Sequence, residues 1–357
     1  MPVTAHLNRI GTAVPPHDVH GAFVRFVEGF IPERREQLIF KRMVSRADIE
    51  HRYSHFVPDP DVGGDTEGFY RRGRFPGTAA RMARYERYAP ELAGEAIDAL
   101  GEIDRAAITH IVVASCTGFV APGLDQLIVA QAGLDPSIER TVVGFMGCYA
   151  AVNSLRVAHH IVRSEPRARV LVVNLELCTL HFQETPKLEK LLSMLLFGDG
   201  ASAALVTAEP RGLALIDFKP VAIAGSGDAI TWRIGDTGFD MHLSGEVPQR
   251  IGGALKGELQ RNDAGGILRG RRPDDYDTYA VHAGGRTILD AVEQGFELGK
   301  DSLRWSRGVL RDFGNMSSAT LMFVLDRILR NGEGNKGLGM AFGPGLAAET
   351  FRFERAG

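Results

Sequence analysis

Three side chains in this sequence could together do acyl chemistry: a cysteine, a histidine and an asparagine, each beside glycine at an element boundary. Cys148 follows Thr141-Val142-Val143, which reads as a short strand, and the turn Gly144-Phe145-Met146-Gly147; Tyr149 to Arg163 reads as a helix. A thiol at a helix N-terminus faces free N–H groups and partial positive charge, and both favour the reactive thiolate. The competing reading is a buried small hydrophobe, the commonest fate of a free cysteine. His282 ends the strand Tyr279-Ala280-Val281-His282, before Ala283-Gly284-Gly285. Glycines there let a ligand's backbone or phosphate tail come close. Near a cysteine, the ring could pair as imidazolium and lower the thiol pKa; a lone strand histidine is otherwise a satisfied core residue. Asn315, in Gly314-Asn315-Met316-Ser317-Ser318-Ala319, opens a helix that runs to about Leu329. It is either an N-cap or an uncharged donor to an oxyanion. Together the three allow hydrolysis, with Asn orienting His, or acyl transfer with carbon–carbon bond formation. Spacing alone does not separate the two.

The elements that must position these residues alternate. Leu92 to Leu100 reads as a helix; Ile111 to Ala114, Thr141 to Val143, Val170 to Leu175 and Ala203 to Thr207 read as buried apolar strands. After the His282 strand come a helix from Thr287 to Phe296, the Asn315 helix, and closing strands at Gly339 to Phe342 and Thr350 to Phe353. Such alternation predicts a layered α/β fold. The Tyr149 helix carries Ala150, Val152, Leu155, Val157, Ala158 and Ile161, apolar over most of its circumference. Gly147-Cys148 before one helix echoes Gly314-Asn315 before another, which predicts two related halves, 1–212 and 213–357, with the site at their junction. Residues 1–90 read as irregular and Arg-rich, with a loop over Val57 to Arg74. Arg71, Arg72, Arg74, Arg81, Arg84 and Arg87 are interleaved with acids, so a solvated helix face is expected rather than a phosphate stripe.

The chain has 357 residues, 44% hydrophobic and 24% charged, with formal net charge -3. That is globular composition, and its near-neutral balance favours neither nucleic acid nor a membrane surface as partner. No broad basic surface for an acidic carrier protein is visible. Three cysteines form no disulfide framework, which points to a reducing compartment. Met1 to Ile10 lacks a basic start followed by an apolar core, and no apolar run nears the ~18 residues of a membrane span. A soluble cytoplasmic protein is expected.

Five segments in order, Gly144 to Cys148, Leu196-Phe197-Gly198-Asp199-Gly200-Ala201, His282 to Gly285, Gly314 to Ala319 and Phe342-Gly343-Pro344-Gly345, resemble the signatures of type III polyketide synthases of the chalcone synthase kind. The likeness runs from about Phe40 to Phe353. It implies a thiolase-like five-layered α/β/α/β/α fold, a homodimer, and coenzyme A thioesters as substrates, with no metal and no tightly bound cofactor. Cys148, His282 and Asn315 match the catalytic triad. Cys148 would take the starter acyl group, and His282 and Asn315 would hold the malonyl thioester carbonyl as carbon dioxide leaves. Arg42, Arg46, Gly284, Gly285 and Arg286 match coenzyme A contacts, and Ile39 stands where plant enzymes carry a third basic residue. Phe197 matches a gatekeeper between tunnel and cavity. Cys116, Thr117, Cys178, Trp232, Met241 and Ser317 match pocket positions. Cys116 and Cys178 replace threonines of the plant enzymes, and Trp232 stands near a glycine of theirs, so a microbial-type enzyme is expected. The alternatives are a β-ketoacyl synthase III-like enzyme making one condensation with acyl carrier protein, for which Asn-Thr-Ser would be expected in place of Asn315-Met316-Ser317; a cysteine hydrolase; or a noncatalytic relative, disfavoured by the complete triad.

Overall fold

The computed structural model describes residues 3–59, 61, 64–332 and 335–357. Pro60, Val62 and Gly63 of the expected 57–74 loop, and Met1 and Pro2, lie outside the described residues. The first half contributes β1 (Ala5–Ala13), the short ladder β2 (His17–Asp18) with β3 (Tyr53–Ser54), then β4 (His110–Ser115), β5 (Glu139–Gly144), β6 (Val170–Leu177) and β7 (Asp199–Thr207). The second contributes β8 (Leu213–Ala222), the hairpin β9 (Ile230–Gly235) and β10 (Gly238–Leu243), β11 (Thr278–Val281), β12 (Lys336–Gly343) and β13 (Ala347–Arg355). Nine of these strands form one sheet in the order β11-β12-β13-β8-β1-β7-β6-β4-β5.

The same topology appears twice. In each half the last strand lies antiparallel beside the first, β7 on β1 and β13 on β8. Parallel pairs lie further out, β6 with β4 and β4 with β5 in one half, β12 with β11 in the other. The halves join where β1 pairs with β8, Ala5 to Leu215 through Leu7 to Leu213.

Helices fill the layers. α5 (Ala150–Ser164) and α10 (Thr320–Asn331) lie between the two halves of the sheet, in one core with Val112, Val172, Leu215 and Phe351. Their buried sides include Val152, Leu155 and Ala158, and the unbroken run Leu321 to Leu325. Each such side chain taken fully from water is worth about 1.5–3 kcal/mol. α3 (Thr78–Asp98) and α4 (Leu124–Gln131) cover the outer face of the first half. α7 (Val247–Glu258), α8 (Arg286–Gly295) and α9 (Arg304–Phe313) cover the second. The result is five layers, as the resemblance implied.

Three expectations are corrected. The described residues up to 90 are not irregular throughout: β1 sits mid-sheet, and α1 (His20–Glu28) and α2 (Arg34–Arg46) are regular helices. β5 is not a buried strand but the sheet's outer edge, with Val142 53% exposed. Arg81 is not solvated; it is fully buried, with its guanidinium donating to the carbonyls of Pro76, Leu180 and Phe182. Positions 81 and 85 lie one turn apart on the core face of α3, which outweighs the acidic neighbours.

Candidate active site

Cys148 sits in a tight turn, Gly147–Tyr149, that feeds directly into α5. Gly147 has φ 78°, and a Cβ there would lie 2.5 Å from Pro344 Cδ, so only glycine fits. Tyr149 packs on Gly343 and donates from its hydroxyl to the Pro344 carbonyl at 3.1 Å. The Phe342-Gly343-Pro344-Gly345 segment is thus the floor beneath the nucleophile's turn.

Asn315 lies five residues before α10, not at its start as the echo implied. Its side chain fills both roles that the sequence allowed. Oδ1 accepts from the Ser317 N–H at 2.9 Å, a cap on the local turn, while Nδ2 donates to the Gly284 carbonyl at 3.2 Å. The Ser317 hydroxyl lies 3.4 Å from the Cys116 sulfur, and Ser317 and Asn315 both pull the Cys148 thiol pKa downward. The backbone around Asn315 is stitched to the gate: its N–H donates to Leu196 O at 2.8 Å, and Gly198 N–H donates to its carbonyl at 3.0 Å. Phe197 lies between those bonds, at the end of α6 (Leu188–Leu196).

His282 follows β11 directly, is buried, and has no hydrogen-bond partner on either ring nitrogen. A buried polar atom without a partner is costly, so these nitrogens are free for a ligand. Gly284 packs against the ring, a Cβ there meeting His282 Cδ2 at 3.4 Å. Burial lowers the imidazole to about 3 and raises the Cys148 thiol to about 11, against the downward pull of Ser317 and Asn315 on the latter. This changes the expectation of an imidazolium: burial favours a neutral ring, which donates as N–H.

A cavity opens on Cys148. All seven expected pocket residues line it: Phe197, Cys116, Thr117, Cys178, Trp232, Met241 and Ser317. Met241 pairs with Trp232 across the β9–β10 hairpin, and the indole N–H donates to Cys116 O at 2.8 Å. Phe239 also lines the cavity and stacks on His181, centroids 4.1 Å apart. Burial raises the Cys116 and Cys178 thiols, as suits apolar lining. Beyond Cys178 the wall turns aromatic, with Phe23, Phe26, Phe56 and Phe182.

The expected coenzyme A contacts are not on this wall. Arg42 and Arg46 are exposed on α2. Arg286 is held by Asp48 at 3.4 Å and Asp290 at 3.5 Å, and donates to the Arg46 carbonyl at 3.3 Å. It therefore ties the Gly284-Gly285 loop to α2.

Sequence reasoning missed two residues. Glu176 is fully buried in β6, behind the cavity, and accepts from Cys116 N at 2.9 Å, Thr117 Oγ1 at 2.8 Å and Ser318 Oγ at 2.5 Å. Burial raises its pKa and these donors lower it. An acid inside the apolar run from Val170 to Leu177 was the available signal. Arg52, also buried, donates to Phe197 O at 2.7 Å and lies 4.3 Å over the Phe23 ring. Nothing in its exposed-looking surroundings marked it.

Comparison with known proteins fits this geometry. The profile of the N-terminal domain of chalcone and stilbene synthases matches residues 3–210, and that of the C-terminal domain matches 219–355. Polyketide synthase 37 of Dictyostelium discoideum is 34% identical over 282 residues, 73% of this chain but 9% of that protein's length. The crystal structure of PKS-I from the brown alga Ectocarpus siliculosus superposes with TM-score 0.87 and 26% identity over 99% of both chains. The type III polyketide synthase domain of Steely1, a type I/III hybrid from Dictyostelium, shares the fold with TM-score 0.88 at 24% identity, over 99% of this chain and 100% of that one. CsyB complexed with CoA-SH does so with TM-score 0.86 at 22%, over 98% and 100%. Both domain profiles match, so this chain belongs to the chalcone and stilbene synthase family, the type III polyketide synthases.

Proposed function

We propose that Cys148 attacks an acyl-CoA starter, forming the acyl–Sγ bond as coenzyme A leaves with the proton. Malonyl-CoA then loses carbon dioxide, and the enolate oxygen is held by the His282 and Asn315 N–H groups. The enolate carbon attacks the acyl-Cys148 carbonyl and breaks the acyl–Sγ bond. Repetition and ring closure give a pyrone, resorcinol or phloroglucinol. The observation that carries this reading is His282, buried with two unpartnered ring nitrogens beside Gly284, whose carbonyl accepts from Asn315.

The finer assignments follow. The departures of the pocket from the plant enzymes at Cys116, Cys178 and Trp232, all on the cavity wall, lean toward an aliphatic starter. Arg42 and Arg46 meet the coenzyme A phosphates, and Gly284-Gly285-Arg286 flanks the pantetheine arm. The exposed edge strand β5, with Val142 and Phe119, is where a second copy would pair. The two halves divide at 212/213, where β8 begins. The three free thiols suit a reducing, cytoplasmic setting.

Incubation with malonyl-CoA and a panel of acyl-CoAs, analysed by mass spectrometry, tests the assignment. Chain-extended, cyclised products are expected, with aliphatic starters ahead of aromatic ones. Release of free acid alone would instead mark a cysteine hydrolase.

A further inference from the structure

The outer face of α2 is unlike the rest of the surface. The helix carries five basic residues, Arg34, Arg35, Lys41, Arg42 and Arg46, against one acid, Glu36, in a chain of net charge -3. Lys41 pairs with Glu28 and turns aside. Leu38, Ile39 and Met43 are 55%, 41% and 40% exposed, three of the seven large apolar residues exposed among those described. Helical spacing sets Arg35, Arg42 and Arg46 along the middle of this face. Leu38 lies on one flank, Ile39 and Met43 on the other, and Phe40 is buried opposite.

The face also leads to the nucleophile. Arg46 O accepts from Arg286, the first residue of α8; Gly284, two residues before it, accepts from Asn315, whose amide pulls the Cys148 thiol pKa down. Free coenzyme A would satisfy the arginines but would leave Leu38, Ile39 and Met43 in water. A bilayer-binding helix has its apolar residues at the centre and cations at the rim; here the order is reversed. A cationic strip rimmed by apolar side chains complements an acidic helix with apolar flanks on a protein partner.

We propose that this face docks an acyl carrier protein, whose phosphopantetheine arm delivers the starter acyl group to Cys148 past Gly284. The proposal rests on the condensing reading above and adds a second donor to it. The acyl–Sγ bond forms, the acyl–pantetheine thioester breaks, and the thiol proton passes from Cys148 to the departing pantetheine sulfur. The local patch thus reverses the expectation that no surface suits an acidic carrier.

The test offers the purified protein a dodecanoyl group in two forms: on coenzyme A, and on the holo acyl carrier protein of a bacterial fatty-acid synthase. Acylation of Cys148 is timed by intact-protein mass spectrometry. Both donors are expected to acylate the wild type. The Leu38→Glu/Met43→Glu and Arg35→Glu variants, with unchanged circular-dichroism melts, should lose about tenfold or more in rate from the carrier. They should stay within about twofold with dodecanoyl-CoA. No transfer from the carrier to the wild type, or equal losses with both donors, overturns the proposal. So does unchanged carrier loading combined with lost sedimentation on phosphatidylserine vesicles, which would make the face a lipid contact. Failure with dodecanoyl-CoA would count against the condensing reading itself.

Discussion

Gly147 and Gly314 take positive φ, 78° and 68°, each ahead of one of the two central helices, and neither has room for a Cβ. A Cβ at Gly147 would strike Pro344; one at Gly314 would lie 2.8 Å from both Arg52 Cγ and Leu196 O. The polar residue that follows is treated differently in each half. Cys148 enters its helix turn at once and opens on the cavity. Asn315 stops five residues short of its helix and spends one side-chain atom on its own turn. The shared backbone device therefore presents a thiol to the cavity in one half and an amide held by its own turn in the other. The two halves differ in where the helix starts.

This division is open to attack at several points. Cys148→Ala should lower product formation by roughly four orders of magnitude or more, with the thermal melt retained. Robust synthesis by that variant would dissolve the contrast, since the first turn would then carry no unique role. Asn315→Ala should slow release of labelled carbon dioxide from malonyl-CoA by about 10²–10³-fold, more than it slows acylation of Cys148. Equal losses in both steps would make Asn315 a structural cap only. Gly147→Ala and Gly314→Ala each add backbone strain of about 1–3 kcal/mol and overpacking of a similar size. Both should lower the unfolding midpoint in denaturant, and unaltered stability of either would show that its turn relaxes freely.

A pH experiment sharpens the link between the halves. Burial holds the Cys148 thiol up at about 11 and His282 down at about 3. A thiol with a raised pKa is unreactive below it and gains thiolate as pH rises. In His282→Gln, iodoacetamide labelling of Cys148 should climb about tenfold per pH unit to pH 10, as for one titrating thiol. With His282 present the ring is neutral and lends the thiol no charge, so the wild-type profile should coincide with that of the variant. A rise that begins at lower pH in the wild type would mean that His282 takes the thiol proton and activates the cysteine. The smallest effect is expected of Ser317→Ala. It removes a hydroxyl that pulls the thiol down, so labelling should move to higher pH; no movement would place Ser317 in pocket shape alone.

Much of this site was legible in the sequence because its residues sit at junctions marked by glycine. Gly147, Gly284 and Gly314 flag the three catalytic candidates, and the pocket residues followed from the resemblance. What was not legible depended on long-range packing. The strand Thr141 to Val143 carries the apolar pattern of a central strand, and nothing local says that no neighbour lies beyond it. Arg81 and Arg52 looked like surface charges, yet each is buried because carbonyls from distant segments converge on its guanidinium. The helices α1 and α2 went unseen because glycine and clustered arginines break up their apolar positions, and tertiary packing decides for helix there.

The reciprocal backbone bonds between Leu196, Gly198 and Asn315 also bear on how such an enzyme can diversify. They fix the path of the chain through Phe197 while leaving its side chain projecting into the cavity. Exchanging that ring for another side chain can change which substrates fit without disturbing the donor opposite. An inserted or deleted residue between 196 and 198 would move Asn315 as well. Variation at this gate is therefore expected to proceed by substitution, with loop length held constant.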